Sequence, residues 1–176
     1  IWIQKCSPRT ALSILQEIPD AEYILIKRSL LGNLKSKLKI EYDRNVYPPL
    51  AREVFIYAMH EKIIDKIGRE LGRKPVLYED LKADPAREIK GVCDGLGLSY
   101  SDELLAVPYE PNTSFSKDSE RGEVLSAKAI RQINLFYKLY KALPLSFMRR
   151  VYLMVYNQYR PKLAVLHTHS FGEIKT

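Results

Sequence analysis

Strand-like and helix-like segments alternate through the first forty residues, and this alternation limits the folds open to the chain. Residues 1–3 and 22–28 are largely apolar and rich in β-branched or aromatic side chains, as expected for buried strands. A helix is predicted after each of them, the first with Ser7 as N-cap and Pro8 in its first turn, the second from about Leu30. We therefore predict an α/β fold, with a parallel sheet flanked by helices.

The rest of the chain adds helices, a third strand and a long loop. A long amphipathic helix is predicted from Leu50 to a stop at Gly72, and residues 74–81 form a third short strand that runs into a turn. Residues 99–125 are polar and lack periodicity, which predicts a long loop. Residues 126–166 are predicted to form the carboxyl-terminal helices.

Composition favours a single folded domain over residues 1–176, with an anionic partner. A hydrophobic content of 46% is enough for a core, and a net charge of +7 favours phosphates, sulfates, nucleic acid or an acidic membrane surface. Cys6 and Cys93 are too few for a disulfide framework. No metal site is predicted, because isolated histidines are more often structural side chains than metal ligands.

The start of the chain and its basic carboxyl-terminal part bear on location and partners. The chain begins at Ile1 within a predicted strand, which suggests that an amino-terminal part of the domain is missing. A cytoplasmic location is favoured, with membrane-surface contact through residues 145–166 as an alternative, because that segment is both aromatic and basic. No nucleic-acid partner is expected, since no nucleic-acid motif accompanies these side chains.

Two segments carry side chains suited to binding phosphate and adenine. Arg28 follows the second strand and offers a planar set of donors, and Ser36, eight residues later, offers a hydroxyl. Tyr78, in the sequence Tyr-Glu-Asp-Leu, offers an aromatic face and a hydroxyl. Glu79 and Asp80 are adjacent on the third predicted strand and point to opposite faces, so we interpret them as structural residues, not as an acid and base pair.

In their order and spacing these segments resemble the family of sulfotransferases that use 3′-phosphoadenosine-5′-phosphosulfate (PAPS). The resemblance runs from Lys5 to about Arg121 and implies a P-loop nucleotide-hydrolase-like fold. It also implies that Arg28 and Ser36 bind the 3′-phosphate and that Tyr78 contacts the adenine. Two further parts of the implied site are Lys5, facing the phosphosulfate side as the candidate catalytic residue, and a loop that closes over the nucleotide with Lys117, Arg121 and Gly122.

The resemblance implies a function and leaves part of the chemistry unassigned. PAPS would be the donor, adenosine 3′,5′-bisphosphate (PAP) the product, and the acceptor a hydroxyl or amine of a carbohydrate, lipid or small molecule. The family's phosphosulfate-binding loop is not found in this sequence, and Ser7 stands where many cytosolic members have a catalytic histidine. The alternatives are a P-loop kinase-like nucleotide enzyme and a non-catalytic module that binds polyanions or membranes.

Overall fold

The computed structural model describes residues 6–18, 20–43, 45–106 and 125–163, and these residues are mostly helical. The helices of this described part are α1 (Pro8–Glu17), α2 (Leu30–Asp43), α3 (Leu50–Glu70), α4 (Tyr78–Ala83), α5 (Pro85–Gly95), α6 (Glu103–Ala106), α7 (Ala127–Ala142) and α8 (Leu145–Leu163). The strands are β1 (Ile26–Lys27) and β2 (Val76–Leu77), which pair in parallel.

The predicted parallel sheet flanked by helices is wrong, and so is the P-loop nucleotide-hydrolase-like fold that the resemblance implies, because the described residues contain only this two-stranded sheet. A strand extends only as far as a neighbouring strand pairs with its backbone N–H and C=O groups, and each strand here has one neighbour of two residues. The side chains of Ile24 and Ile26 accordingly remain 55% and 53% exposed. Of the predicted strand 74–81, two residues pair and the rest begins α4. The strand predicted at 1–3 lies outside the described residues.

Local sequence signals account for the ends of several helices. Ser7 accepts a hydrogen bond from the N–H of Thr10 at 3.3 Å, which caps α1, and Asp84 accepts one from the N–H of Arg87 at 3.1 Å, which caps α5. Gly72 follows α3 with φ of +64°, a left-handed conformation that glycine adopts at low cost. Each of these ends therefore follows from short-range chemistry.

The core of the first part of the chain lies where α2, α3 and α7 pack together. Its fully or nearly fully buried side chains are Leu34, Leu38, Val54, Leu125 and Ile133. Burial of each such side chain contributes roughly 1.5 to 3 kcal/mol. Glu53 of α3 is also buried, with 3% of its surface exposed, and Lys37 of α2 forms an ion pair with it. The charged pair joins the two helices at the edge of the apolar core.

The chain divides into two compact units, Ile1–Lys141 and Ala142–Thr176. The first contains the sheet and helices α1 to α6 together with nearly all of α7, and the second contains α8. Within the part of the chain that the structure describes, no helix combines the length and apolar character needed to cross a membrane.

Candidate functional site

The parallel register of the two strands brings Arg28 next to Tyr78. Lys27 is opposite Leu77, so Arg28 and Tyr78, the residues that follow them, leave the sheet at the same end. The guanidinium carbon of Arg28 lies 4.7 Å from the centroid of the Tyr78 ring, within the range of a cation–π contact. Two residues that are fifty positions apart in the sequence therefore share one surface.

Ser29 and Glu79, the next residues after Arg28 and Tyr78, connect the ends of the two strands by hydrogen bonds. Ser29 donates its backbone N–H to both carboxylate oxygens of Glu79, at 3.0 and 3.2 Å, and its hydroxyl to Oε1 at 2.7 Å. The N–H of Gly32 donates to the Ser29 hydroxyl at 3.2 Å, so Ser29 acts as the N-cap of α2. A carboxylate at a helix N-terminus is favoured by the helix dipole. We call Arg28, Ser29, Gly32, Tyr78 and Glu79 the Arg28 corner.

Gly32 allows the first turn of α2 to approach the other residues of the Arg28 corner. A Cβ atom at this position would lie 2.7 Å from the Ser29 hydroxyl, 2.9 Å from Glu79 Oε1 and 3.3 Å from Arg28 Nε. The Arg28 side chain therefore runs alongside the first turn of α2. Ser36 is half-buried one turn further along the same helix face, because residues four apart lie above one another on a helix.

Side chains of helix α3 stabilise the Arg28 corner. The hydroxyl of Tyr57 donates to the backbone carbonyl of Arg28 at 2.7 Å. Lys27, the residue before Arg28, pairs with Asp65 at 2.7 Å and with Glu61 at 3.4 Å, both on α3. Burial and the nearby Glu61 carboxylate raise the pKa of Tyr57, so its hydroxyl remains a hydrogen-bond donor at neutral pH. Three α3 side chains thus bind this segment, one at the Arg28 backbone and two at the Lys27 side chain.

The electrostatics of the Arg28 corner leave a cation available to an anionic ligand. Desolvation raises the pKa of Glu79, but the hydrogen bonds from Ser29 and the charge of Arg28 outweigh it, so the pKa of Glu79 is lowered overall. Glu79 is therefore an anion already bound to the start of α2. The Nε atom of Arg28 is buried and has no hydrogen-bond acceptor among the described residues. A phosphate oxygen is a suitable acceptor for such a donor.

The structure brings together some of the predicted site residues. Arg28 and Tyr78 are in contact, and Ser36 lies on the neighbouring helix. Lys5, Lys117, Arg121 and Gly122 lie outside the described residues.

Sequence reasoning missed Tyr57 and did not identify Ser29 as the cap of α2. Ser29 could have been found from its position directly before the predicted helix, whereas no local signal marks Tyr57. Glu79 and Asp80 are in the first turn of α4 and not on a strand, which corrects the geometry assumed for them, while the structural role of Glu79 agrees with its observed contacts.

Comparisons with protein-family models, with curated protein sequences and with solved structures find no match to this chain. The resemblance to sulfotransferases therefore rests on the sequence segments quoted above.

Proposed function

We propose that this chain belongs to a sulfotransferase and that the Arg28 corner binds the 3′-phosphoadenosine end of PAPS. The observation that carries the proposal is the contact between Arg28 and Tyr78, the two residues to which the sequence resemblance assigns the 3′-phosphate and the adenine. Two motifs that are distant in the sequence thus meet where the two paired strands end.

The arrangement also favours particular contacts for the phosphate. Glu79 already accepts the hydrogen bond of the Ser29 N–H at the start of α2, so the phosphate would bind elsewhere on that helix. The guanidinium of Arg28 and the hydroxyl of Ser36 are the groups proposed for it. One face of the Tyr78 ring is covered by Arg28, and its other face or its hydroxyl is proposed to contact the adenine.

In the proposed reaction the acceptor oxygen or nitrogen attacks the sulfur of PAPS in line with the leaving group. The bond between sulfur and the bridging oxygen breaks, and the 5′-phosphate leaves as part of PAP. The Arg28 corner would contribute by fixing the nucleotide end of the donor, which supplies orientation. Lys5, the candidate for the phosphosulfate side, lies outside the described residues.

Calorimetric titration with PAP tests the assignment of Arg28. Replacing Arg28 with Ala removes a charge-assisted hydrogen bond, so we expect binding to weaken by roughly 1.5 to 3 kcal/mol, or about 10-fold to 150-fold. Arg28→Lys keeps the charge but loses the planar pair of donors, and we expect an intermediate loss. Ser36→Ala should cost less, about 0.5 to 1.5 kcal/mol.

Arg69→Ala is the matched control, because Arg69 is exposed in the last turn of α3 and lies outside the Arg28 corner. Arg69→Ala changes the net charge by the same amount as Arg28→Ala, but it should leave the affinity for PAP nearly unchanged. Equal losses in Arg28→Ala and Arg69→Ala would mean that the nucleotide responds only to net charge, which would contradict the proposed site.

A further inference from the structure

The positive charge of the chain is concentrated in residues 127–163. Of its 28 lysines and arginines, eight fall in this segment, whereas none of its 21 aspartates and glutamates does. The rest of the chain is therefore close to neutral, and the net charge of +7 comes from this segment. Four of the eight cations are in α8: Arg149, Arg150, Arg160 and Lys162. A helix with cations and no carboxylate has no ion pairs of its own to neutralise it.

One face of α8 combines these cations with exposed apolar side chains. A shallow depression on α8 is lined by Ser146, Arg149, Arg150, Leu153 and Met154. The spacing of these residues by three, four or seven positions puts them on one side of the helix. We call this set, together with Phe147, the basic apolar face of α8.

The apolar members of this face are well exposed. Phe147, Leu153 and Met154 have 51%, 53% and 56% of their surface accessible to solvent. Exposed single apolar residues are common in proteins, but Leu153 and Met154 line one depression together with two arginines. Phe147 is seven positions before Met154, which is about two helical turns along the same side of α8. Burying them against hydrocarbon would be favourable, while the arginine head groups could remain in a polar layer.

We propose that the basic apolar face of α8 docks on the surface of an anionic lipid bilayer. A helix lying in the interface needs both elements found here: apolar side chains that enter the acyl boundary and cations that contact acidic headgroups. In the sequence of α8, residues 151–159 are uncharged and include three tyrosines, and arginine or lysine lies on each side of them. Tyrosine is favoured at membrane interfaces.

Charge argues against one alternative occupant of this face, and the exposed aliphatic side chains argue against another. A second copy of the chain would bring Arg149 and Arg150 against identical cations, which repel each other. Nucleic acid would match the charge, but hydrocarbon is the better match for the aliphatic side chains of Leu153 and Met154, since single strands are bound by stacking on aromatic rings. The anionic membrane is the occupant that fits both the charge and the exposed aliphatic surface.

Vesicle flotation with the full chain, in the absence of nucleotide, tests the proposal. We expect binding to vesicles of phosphatidylcholine with about 30% phosphatidylserine, little binding to phosphatidylcholine alone, and weaker binding at high salt. The double variant R149Q/R150Q should weaken partitioning by about 25-fold, since each cation near the surface contributes about fivefold. L153Q/M154Q should weaken it by about tenfold through loss of apolar burial.

Matched controls separate this face from general charge and general hydrophobicity. K82Q/K90Q removes two exposed cations from other helices, and L98Q/L104Q removes two exposed leucines from the first unit. Both controls should float like the original protein. Circular dichroism should be unchanged in all four variants, because every replaced side chain is exposed.

Insertion can be measured directly with F147W. On adding phosphatidylserine vesicles, we expect a blue shift of the new tryptophan emission that is absent from the original protein, whose single tryptophan is Trp2. The proposal is overturned if the chain does not float, if L153Q/M154Q floats as well as L98Q/L104Q, or if RNA binding depends on Arg149 and Arg150 while vesicle binding does not. These tests use no nucleotide, so their outcome is independent of the proposed PAPS site.

Discussion

Helices α3 and α8 have similar lengths and the same number of cations, yet they differ in how those charges are balanced. The sequence of α3 has four lysines and arginines and four carboxylates, whereas α8 has four cations and no carboxylate. Seven residues of α3 are buried. Among the α8 side chains that the structure describes, at 145–155, Met148 is the buried one.

The difference shows what each helix contributes to the molecule. Three carboxylates of α3 have partners on other elements: Glu53 pairs with Lys37, and both Glu61 and Asp65 pair with Lys27. Such pairs leave little charge for an external ligand, so α3 functions as the support of the Arg28 corner. The cations of α8 have no acidic neighbour on their own helix, and its side chains Phe147, Leu153, Met154 and Val155 are exposed. Length and number of cations do not distinguish the two helices, but their carboxylates and their buried side chains do.

The largest expected contrast between the two helices is in stability. Ile63 of α3 is fully buried, so Ile63→Ala should lower the free energy of unfolding by about 2 to 5 kcal/mol through lost burial and a new cavity. Leu153→Ala on α8 removes an exposed side chain and should change it by no more than about 0.5 kcal/mol. Urea unfolding measures both, and similar losses would refute the assignment of α3 as core and α8 as surface.

The second contrast between the two helices is in how they affect the pH dependence of stability. Burial, with the charges of Arg9 and Lys37, lowers the pKa of His60 on α3 from 6.5 to about 4. As the pH falls through 6.5, the unfolded chain binds a proton at His60 while the folded chain does not, so stability decreases. Allowing for the partial exposure of His60, we expect a loss of about 1 to 2 kcal/mol between pH 7 and pH 5.

Two variants isolate the contribution of His60. His60→Gln cannot be protonated in this range and should reduce the pH dependence of the urea midpoint, because all other titrating groups are unchanged. Arg149→Gln on α8 should leave the pH dependence as it is. Identical pH profiles for His60→Gln and the original protein would show that His60 is protonated equally in both states.

The smallest contrast concerns the hydrogen bond from α3 to the Arg28 corner. Tyr57→Phe removes the donor to the Arg28 carbonyl and should cost about 0.5 to 1.5 kcal/mol of stability. The Tyr100 hydroxyl, which donates to Asp102 at 2.9 Å in an exposed pair, offers a control. Tyr100→Phe should cost less, since water replaces an exposed hydrogen bond easily. A larger loss in Tyr100→Phe would contradict the supporting role of α3.

Short-range sequence patterns predicted the parts of the molecule that depend on short-range chemistry. The capping of α1 by Ser7 and the glycine stop at Gly72 depend on a few neighbouring residues, and the structure agrees with them. The position of Arg28 at the end of a strand-like segment was also visible in the sequence, whereas Tyr78 was predicted to lie within the third strand. The contact between Arg28 and Tyr78 requires, in addition, that those two segments pair in parallel.

The extent of the sheet could not be predicted in the same way. An apolar run such as residues 22–28 becomes a strand only where a partner from a distant part of the chain pairs with it, and β2 does so over two residues. The contact of Tyr57 with Arg28 likewise depends on how α3 packs against β1, 29 positions apart in the sequence. Glu79 was predicted to lie on a strand but lies in a helix, because α4 begins at Tyr78.

The central claim is that Arg28 recognises a 3′-phosphate on an adenine nucleotide. Calorimetry of the original protein and of Arg28→Ala, each titrated with PAP and with adenosine 5′-phosphate, tests it most directly. We predict that the original protein binds PAP at least about tenfold more tightly, and that Arg28→Ala removes most of that preference. Equal affinity of the original protein for the two nucleotides, or an undiminished preference in Arg28→Ala, would contradict the claim.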